Sequence, residues 1–308
     1  MTIKQLLKTA PVTTLLLVSF IGLFVMQVLT GVDINNPSTE ALIYWGANAL
    51  PFTMGDQPWR LVSSAFLHIG LMHLLFNGFA MYFFGQVAEP MFGSAKFLAL
   101  FLLSAIGGNL LNNHVTWLGI LDGTGQPGLS AGASGGIMGI GAALLIAALF
   151  KISVNGLVLN LRSLVFIMGI NLVYGFVVPG IDNAGHIGGA ITGLLIALAF
   201  AVAYRQRMAD MQQNIPSIPV YQNRYPTEYQ TDYIDSPTSS NIGSDIPIDS
   251  TINPYHVRTV SAQSNIPAKP AMIWRLLPWM MMLLITLGFG WWWQDIHLQI
   301  LEVLKIIE

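Results

Sequence analysis

Seven apolar runs divide the chain, at residues 12–29, 61–84, 97–111, 132–150, 161–178, 185–204 and 272–293, with polar or Gly/Pro-containing segments between them. A helix needs about 20 mostly apolar residues to cross the hydrocarbon of a bilayer, so each run is a candidate span. The third is short, because extending it through Gly107 to Asn113 brings in polar side chains. The first follows Lys4 and Lys8 as a signal peptide would, yet its apolar run is long and no Ala-x-Ala-like site follows. It is expected to stay as an uncleaved first span. Residues 205–270 lose the pattern: eight prolines from Pro216 to Pro270 stand among Ser, Asn, Gln and Asp, the composition of a disordered linker. Tyr221, Tyr225, Tyr229 and Tyr233 recur there at every fourth position, a spacing that suits a docking motif, since Pro226 opposes a stable helix. The last run closes on Trp291, Trp292 and Trp293, and the tail carries Ile296, Ile300, Leu301, Leu304 and Ile307, as an amphipathic helix lying on the outer surface would. The expected divisions are an N-terminus at 1–10, a six-helix domain at 11–204, the linker at 205–270, a seventh helix at 271–294 and the tail at 295–308.

Composition agrees with an all-α polytopic membrane protein. Of 308 residues 54% are apolar and 9% charged, and the mean hydropathy is +0.61; soluble chains carry about 25% charge. A net charge of -2 gives neither a nucleic-acid footprint nor a polybasic tether. The absence of cysteine excludes disulfides, thiolate metal sites and a cysteine nucleophile, and neither a metal nor a cofactor is called for. Lys4 and Lys8, Lys96, Lys151 and Arg162, then Arg205 and Arg207 fall on one side if the N-terminus is cytoplasmic. The alternate loops hold Asp33, Glu40, Asp56, Asp122 and Asp182, with Arg60 their one cation up to the sixth span. By the positive-inside rule the N-terminus lies in the cytoplasm of a plasma or inner membrane, and spans two, four and six begin at the outer leaflet.

Ionisable side chains inside a span are expensive and by default mark a functional site. Span two contains His68, His73 and Asn77. His73 and Asn77, four apart, share a helix face, whereas His68 on a continuous helix sits roughly 140° around from His73. Two buried polar side chains gluing helices together is the plainer reading of this span alone. Span four opens with Gly132-Ala133-Ser134-Gly135-Gly136, and span six carries Gly185, His186, Gly189 and Gly193. Glycines four apart strip one helix face of side chains and let backbones approach. Packed so, the two helices would bring Ser134 and His186 to similar depth. A serine hydroxyl is a weak nucleophile until a base takes its proton, and His186 is placed to be that base. The Asn77 amide, a His73 N–H and the Ser134 backbone N–H would be donors for a developing oxyanion.

Trp59-Arg60, His68-x4-His73-x3-Asn77, Gly132-x-Ser134-Gly135 and Gly185-His186-x2-Gly189-x3-Gly193, in this order, resemble the rhomboid family of intramembrane serine proteases. The resemblance covers about residues 59–207. It implies a rhomboid-like six-helix bundle, here with an additional seventh helix, and a Ser134–His186 dyad without a required acid. Ser134 would be the nucleophile, His186 the base and then the acid, His73 and Asn77 the oxyanion side chains, and His68 structural, with a cap near 178–183 and a gate at span five. Trp59, Arg60, Gly132, Gly135, Gly189 and Gly193 would support the site. Met138 stands where many members carry an aromatic that stacks on the catalytic histidine; a thioether packs there too. Asp182, four residues before His186, is expected to have a modest role at most. The substrates implied are transmembrane proteins within the lipid bilayer, cut near the outer interface at small residues; the sequence leaves oligomeric state open.

Two other readings compete. A catalytically inactive rhomboid-like protein that binds membrane clients characteristically lacks the serine or the histidine, and this chain keeps both. A channel or transporter would need carboxylates inside the spans and an internal repeat, and neither is evident.

Overall fold

The computed structural model describes residues 3–153, 159–177, 181–213 and 271–307. Residues 1–208 and 271–308 make one compact unit; of the second unit, 209–270, only residues 209–213 are described, as the end of a helix. The linker reading and its tyrosine spacing fall outside the described residues.

Helix α1 (Ile3–Thr9) leads into α2 (Pro11–Leu29), which starts on a proline, the residue whose missing N–H costs nothing at a helix start. The Ala10 side chain cannot cap α2. Its free N–H groups are met instead by Glu89, which accepts from the Val12 and Thr13 amides and the Thr13 hydroxyl at 2.7–2.9 Å and from Ser94 at 2.6 Å. Glu89 is buried on α6 (Leu71–Phe92), so the cap also fastens two helices together.

The loop after α2 is ordered. It contains α3 (Thr39–Trp45), β1 (Asn48–Ala49), α4 (Leu50–Thr53), α5 (Arg60–Ser63) and a 3₁₀ turn over Ser64–Phe66. Ser38 caps α3 by accepting from the Ala41 amide, and Gly46 ends it at φ +101°, a left-handed turn that suits glycine. Arg60 holds this loop together. It is buried, donates to Gln57 and to the Ile43 and Ala47 carbonyls at 2.7–3.1 Å, and stacks on Trp59 and Phe52. Trp59 beside it is half-exposed, whereas Arg60 is an internal tie.

The second and third spans differ from their expected limits. The second begins at Leu71 rather than 61, because Gly70 (φ +90°) turns the chain after Leu67-His68-Ile69. The third is α7 (Ser94–Leu121), 28 residues long, with the polar outer end continuing as helix past Asn112 and Asn113. Its amides are satisfied inside the fold, so hydropathy alone undercounted it. The loop expected from residue 112 therefore starts only after Leu121 and leads to β2 (Leu129–Ser130), antiparallel to β1 with Asn48 opposite Ser130. Helices α8 (Ser134–Leu149), α9 (Leu161–Val177), α10 (Asn183–Gln213) and α11 (Met272–Ile307) complete the unit. α11 does not stop at Trp293. Its 36 residues run on through the expected tail, so that segment is a continuation of the helix and not a separate surface element.

The core is aromatic and aliphatic, with Phe20, Phe97, Leu100, Phe101, Ile140 and Ile196 fully buried. Among the described residues five helices, α2, α6, α7, α10 and α11, are long and apolar enough to cross a membrane, while α8 and α9 are apolar but shorter. The heads of α6, α8 and α10 gather at one end with the last turns of α2, α7 and α11. The Leu71 amide donates to Ile34, Asn112 donates to Asp182, and Trp117 donates to Gln299.

Candidate active site

Two glycine rows set the site. On α10, Gly185, Gly189 and Gly193 face Gly135 and Gly139 of α8, backbone on backbone: a Cβ on Gly189 would run into the Gly135 carbonyl, one on Gly193 into the Gly139 carbonyl, and one on Gly135 would come 3.3 Å from the Gly185 carbonyl. The other side of α10 meets α7 in the same way, where a Cβ on Gly108 would lie 2.5 Å from the Gly185 oxygen and one on Gly188 2.5 Å from that of Gly107. Helix α10 is thus wedged between α7 and α8, backbone on backbone at these glycines, with the Thr192 side chain of α10 seated against Gly107 and Leu111 of α7 against Gly188. The register sets Ser134, first residue of α8, beside the first turn of α10, which carries His186.

The head of α8 is electrophilic. Its N-cap is Ala133, whose side chain accepts nothing, and the first intrahelical bond is from the Ile137 amide to the Ala133 carbonyl. The Ser134, Gly135 and Gly136 amides are therefore left by the helix itself as donors. Just before it, Gly132 adopts φ +138° and is held by its amide to the Ser64 carbonyl at 2.9 Å. A Cβ there would meet the His73 ring, 2.6 Å from Cε1 and 2.8 Å from Nε2, with the Asn77 amide nitrogen at 3.8 Å. Gly132 is where the span-two pair reaches the serine's loop.

The His73 tautomer follows from its neighbours. The Ile69 amide donates to Nδ1 at 3.3 Å, so neutral His73 carries its proton on Nε2, the edge beside Gly132. Asn77 donates one N–H back to the His73 carbonyl at 3.0 Å and has a second to offer. His68 stands differently from its expectation. Because α6 starts only at Leu71, His68 folds back beneath the helix, and its buried ring lies between Phe20 at 5.2 Å and His73 at 5.3 Å. The 140° separation assumed a continuous helix; the Gly70 turn removes it. His68 supports the face of His73.

His186 lies in the first turn of α10, within electrostatic reach of His73 and Asp182. Asp182 is the helix cap: its carboxylate accepts from the Gly185 amide at 2.7 Å and from Asn112 at 2.9 Å, and its carbonyl accepts from the His186 amide at 3.0 Å. Nδ1 of His186 is buried and has no hydrogen-bond partner among the described residues, so Asp182 is not bonded to the ring. Met138 is buried one turn below Ser134. The cap expected near 178–183 lies partly outside the described residues, since 178–180 are not among them. The expected gate, α9, packs on α8 and exposes Val165, Phe166 and Val173.

A small polar cleft opens at this place, lined by Ser134, Asn109, Ser130, Asp182 and the Gly132 and Gly185 backbones. Behind it runs an amide network that the sequence reading did not find. Asn113 donates to Asn48, Asn48 to Ser130 at 3.0 Å, Ser130 to Asn109, and Asn109 to the Leu61 carbonyl and the Ser64 hydroxyl at 2.9 Å. The only trace of it in the chain is the cluster of asparagines at the end of an apolar run. Among the described residues no group of three or more His, Cys, Asp or Glu side chains converges on a metal site.

A rhomboid-domain family model matches residues 55–203. Over 184 residues the chain is 36% identical to Rhomboid protease GluP of Bacillus subtilis (strain 168), covering 59% of this chain and 34% of that protein. Over 187 residues it is 34% identical to Rhomboid protease AarA of Providencia stuartii, covering 55% and 66%. Over 165 residues it is 31% identical to Rhomboid-like protease 1 of Toxoplasma gondii, covering 53% and 54%. The chain spans from about a third to about two thirds of the length of these relatives.

Proposed function

Since the chain belongs to the rhomboid family and has its helical, multi-pass membrane fold, we propose that it is an intramembrane serine endopeptidase that cleaves transmembrane proteins near the outer interface through a Ser134–His186 dyad. Ser134 Oγ attacks the scissile carbonyl while His186 takes its proton. The oxygen becomes negative and is met by the His73 Nε2–H, the free Asn77 N–H and the amides at the head of α8. Such donors, fixed before the reaction, contribute several kcal/mol in other acyl-transfer enzymes. His186 then returns the proton to the leaving amine, and water hydrolyses the ester by the same route in reverse.

The observation that carries this reading is the meeting at Gly132, where a glycine is required by both φ and space, and where the proton-bearing edge of His73 lies two residues before Ser134. A side chain there would stand where the carbonyl oxygen must go. That Nδ1 of His186 has no partner among the described residues favours a dyad over a triad. At about 1.5 Å per residue α8 is about 24 Å long, short of a bilayer's roughly 30 Å, so with its foot at the inner face its head lies below the outer surface. A transmembrane substrate must unwind locally to present its carbonyl, which small or helix-breaking residues make easier. The N-terminus lies in the cytoplasm: Lys96 and Arg205 stack on Phe200 and Phe150 at the end away from Ser134, where the positive-inside rule places them.

The test is to incubate the purified full chain with a model transmembrane substrate and, separately, with a fluorophosphonate probe. Cleavage and labelling are both expected, and both are expected to vanish in Ser134→Ala. Labelling that persists in that variant would sink the assignment.

A further inference from the structure

The seventh helix lies beyond residues 55–203, yet its far half is bonded to the loop whose strand β1 pairs with β2, the strand that leads to Ser134. Trp293 donates its indole N–H to the Thr53 carbonyl at 2.8 Å, and His297 Nδ1 stands 2.6 Å from the Met54 carbonyl. A carbonyl only accepts, so Nδ1 carries the proton. The two rings stack at 5.0 Å and 9°, which fixes both donors together. On the same helix face Ile296 is fully buried against Leu50, Met54, Leu61, Leu110 and Trp117, while Trp292 bonds His114 and Gln299 bonds Trp117. Trp291, on the opposite face, is 70% exposed.

The target is specific. Thr53 and Met54 close α4, a helix of four residues whose last carbonyls have no partner within it; Trp293 and His297 cap them. α4 is continuous with β1, and the Thr53 hydroxyl accepts from the Ala49 amide at 3.1 Å, so cap, helix and strand move as one piece. β1 is paired to β2 and Asn48 bonds Ser130. From Ser130 the chain reaches Ser134 in four residues. A helix that merely anchored the domain would have no use for two donors aimed at consecutive carbonyls of this loop.

We infer that the far half of α11 is a clamp for the nucleophile's loop, with Trp293 and His297 as positioning residues that hold α4 and, through the β1–β2 pair, the segment from which Ser134 projects. The inference rests on Ser134 being the nucleophile. Loosening the clamp misplaces the serine and removes no side chain that lines the cleft at Ser134.

The experiment uses the full chain in detergent or liposomes with the same substrate and probe. Trp293→Phe and His297→Leu each remove one bond, and kcat and the rate of fluorophosphonate labelling are expected to fall together by up to about tenfold per bond, with KM unchanged. His297→Asn, which puts an amide donor near the Nδ1 position, restores most of the rate. Leu284→Ala, on the exposed face of the same helix, leaves it unchanged. In the double variant, hydrogen exchange is expected to speed up at Asn48, Ser130 and Gly132 but not along α8 and α10. Double-variant protein that labels and cleaves like the parent overturns the clamp while leaving the nucleophile in place. A rate loss with no change in exchange at those amides, or one that His297→Asn does not relieve, also overturns it. A parent chain that neither cleaves nor labels at Ser134 removes the nucleophile assignment, and the clamp with it.

Discussion

Two seams meet α7 near the candidate site, and they are built in opposite ways. Where α10 enters between α7 and α8, glycine faces glycine and backbone meets backbone, with the Thr192 and Leu111 side chains reaching in on the α7 side. Where α11 lies along the outer part of α7, the gap is filled by large side chains, Phe289, Trp292 and Ile296, whose polar neighbours reach for loop carbonyls. A seam in which backbone meets backbone has a single register, because any slip drives a carbonyl into a Cα. An aromatic seam tolerates small shifts, since rings tilt and repack, and its direction is set by the hydrogen bonds at their tips. The first kind suits two helices whose side chains must meet to a fraction of an ångström. The second suits an added helix that must grip a loop.

The sharpest way to break this contrast is Gly189→Val. Its Cβ would fall on the Gly135 carbonyl, and since backbone cannot rotate away, activity is expected to vanish and the unfolding free energy to drop by about 3 kcal/mol or more, read by thermal or denaturant melts in detergent. A folded, active variant would mean that the seam opens freely. Gly132→Ala probes the site rather than the seam. Strained at φ +138° and pressed on His73, it is expected to lower kcat about 10²-fold with KM little changed; equal kcat would remove His73 from the oxyanion.

In the side-chain seam, Ile296→Ala leaves a cavity in a packed cluster and is expected to cost about 2–4 kcal/mol, with residual cleavage by the folded fraction. Loss of activity in protein that melts like the parent would argue against a packing role. The smallest effect belongs to the far end of the bundle. Glu89→Gln weakens the cap on α2 and is expected to cost about 1–2 kcal/mol of stability with no change in labelling rate at low temperature.

Hydropathy and composition were enough to find an apolar helix in each run, though not its ends, because a bilayer imposes length and polarity on each stretch independently of its neighbours. The glycine spacing likewise foretold which faces of α8 and α10 meet, since a stripe without side chains has few other uses. The residues Ser134, His186, His73 and Asn77 stood out for a related reason: polar groups in an apolar run are conspicuous.

What only the tertiary structure decided concerns satisfaction of polar groups at long range. Whether Asn112 and Asn113 end a helix or continue it depends on Asn48 and Asp182, 64 and 70 residues away from Asn112, which no local pattern registers. The placement of His68 beneath His73 depended on one glycine at φ +90°, a turn that helical periodicity carried straight through. Arg60 is an internal tie because the carbonyls of a folded loop are there to receive it, which no local pattern around it announces. The role of the seventh helix was open for the same reason. Its hydropathy announces a span, and only the fold shows that Trp293 and His297 end on the carbonyls of a four-residue helix more than 200 residues earlier.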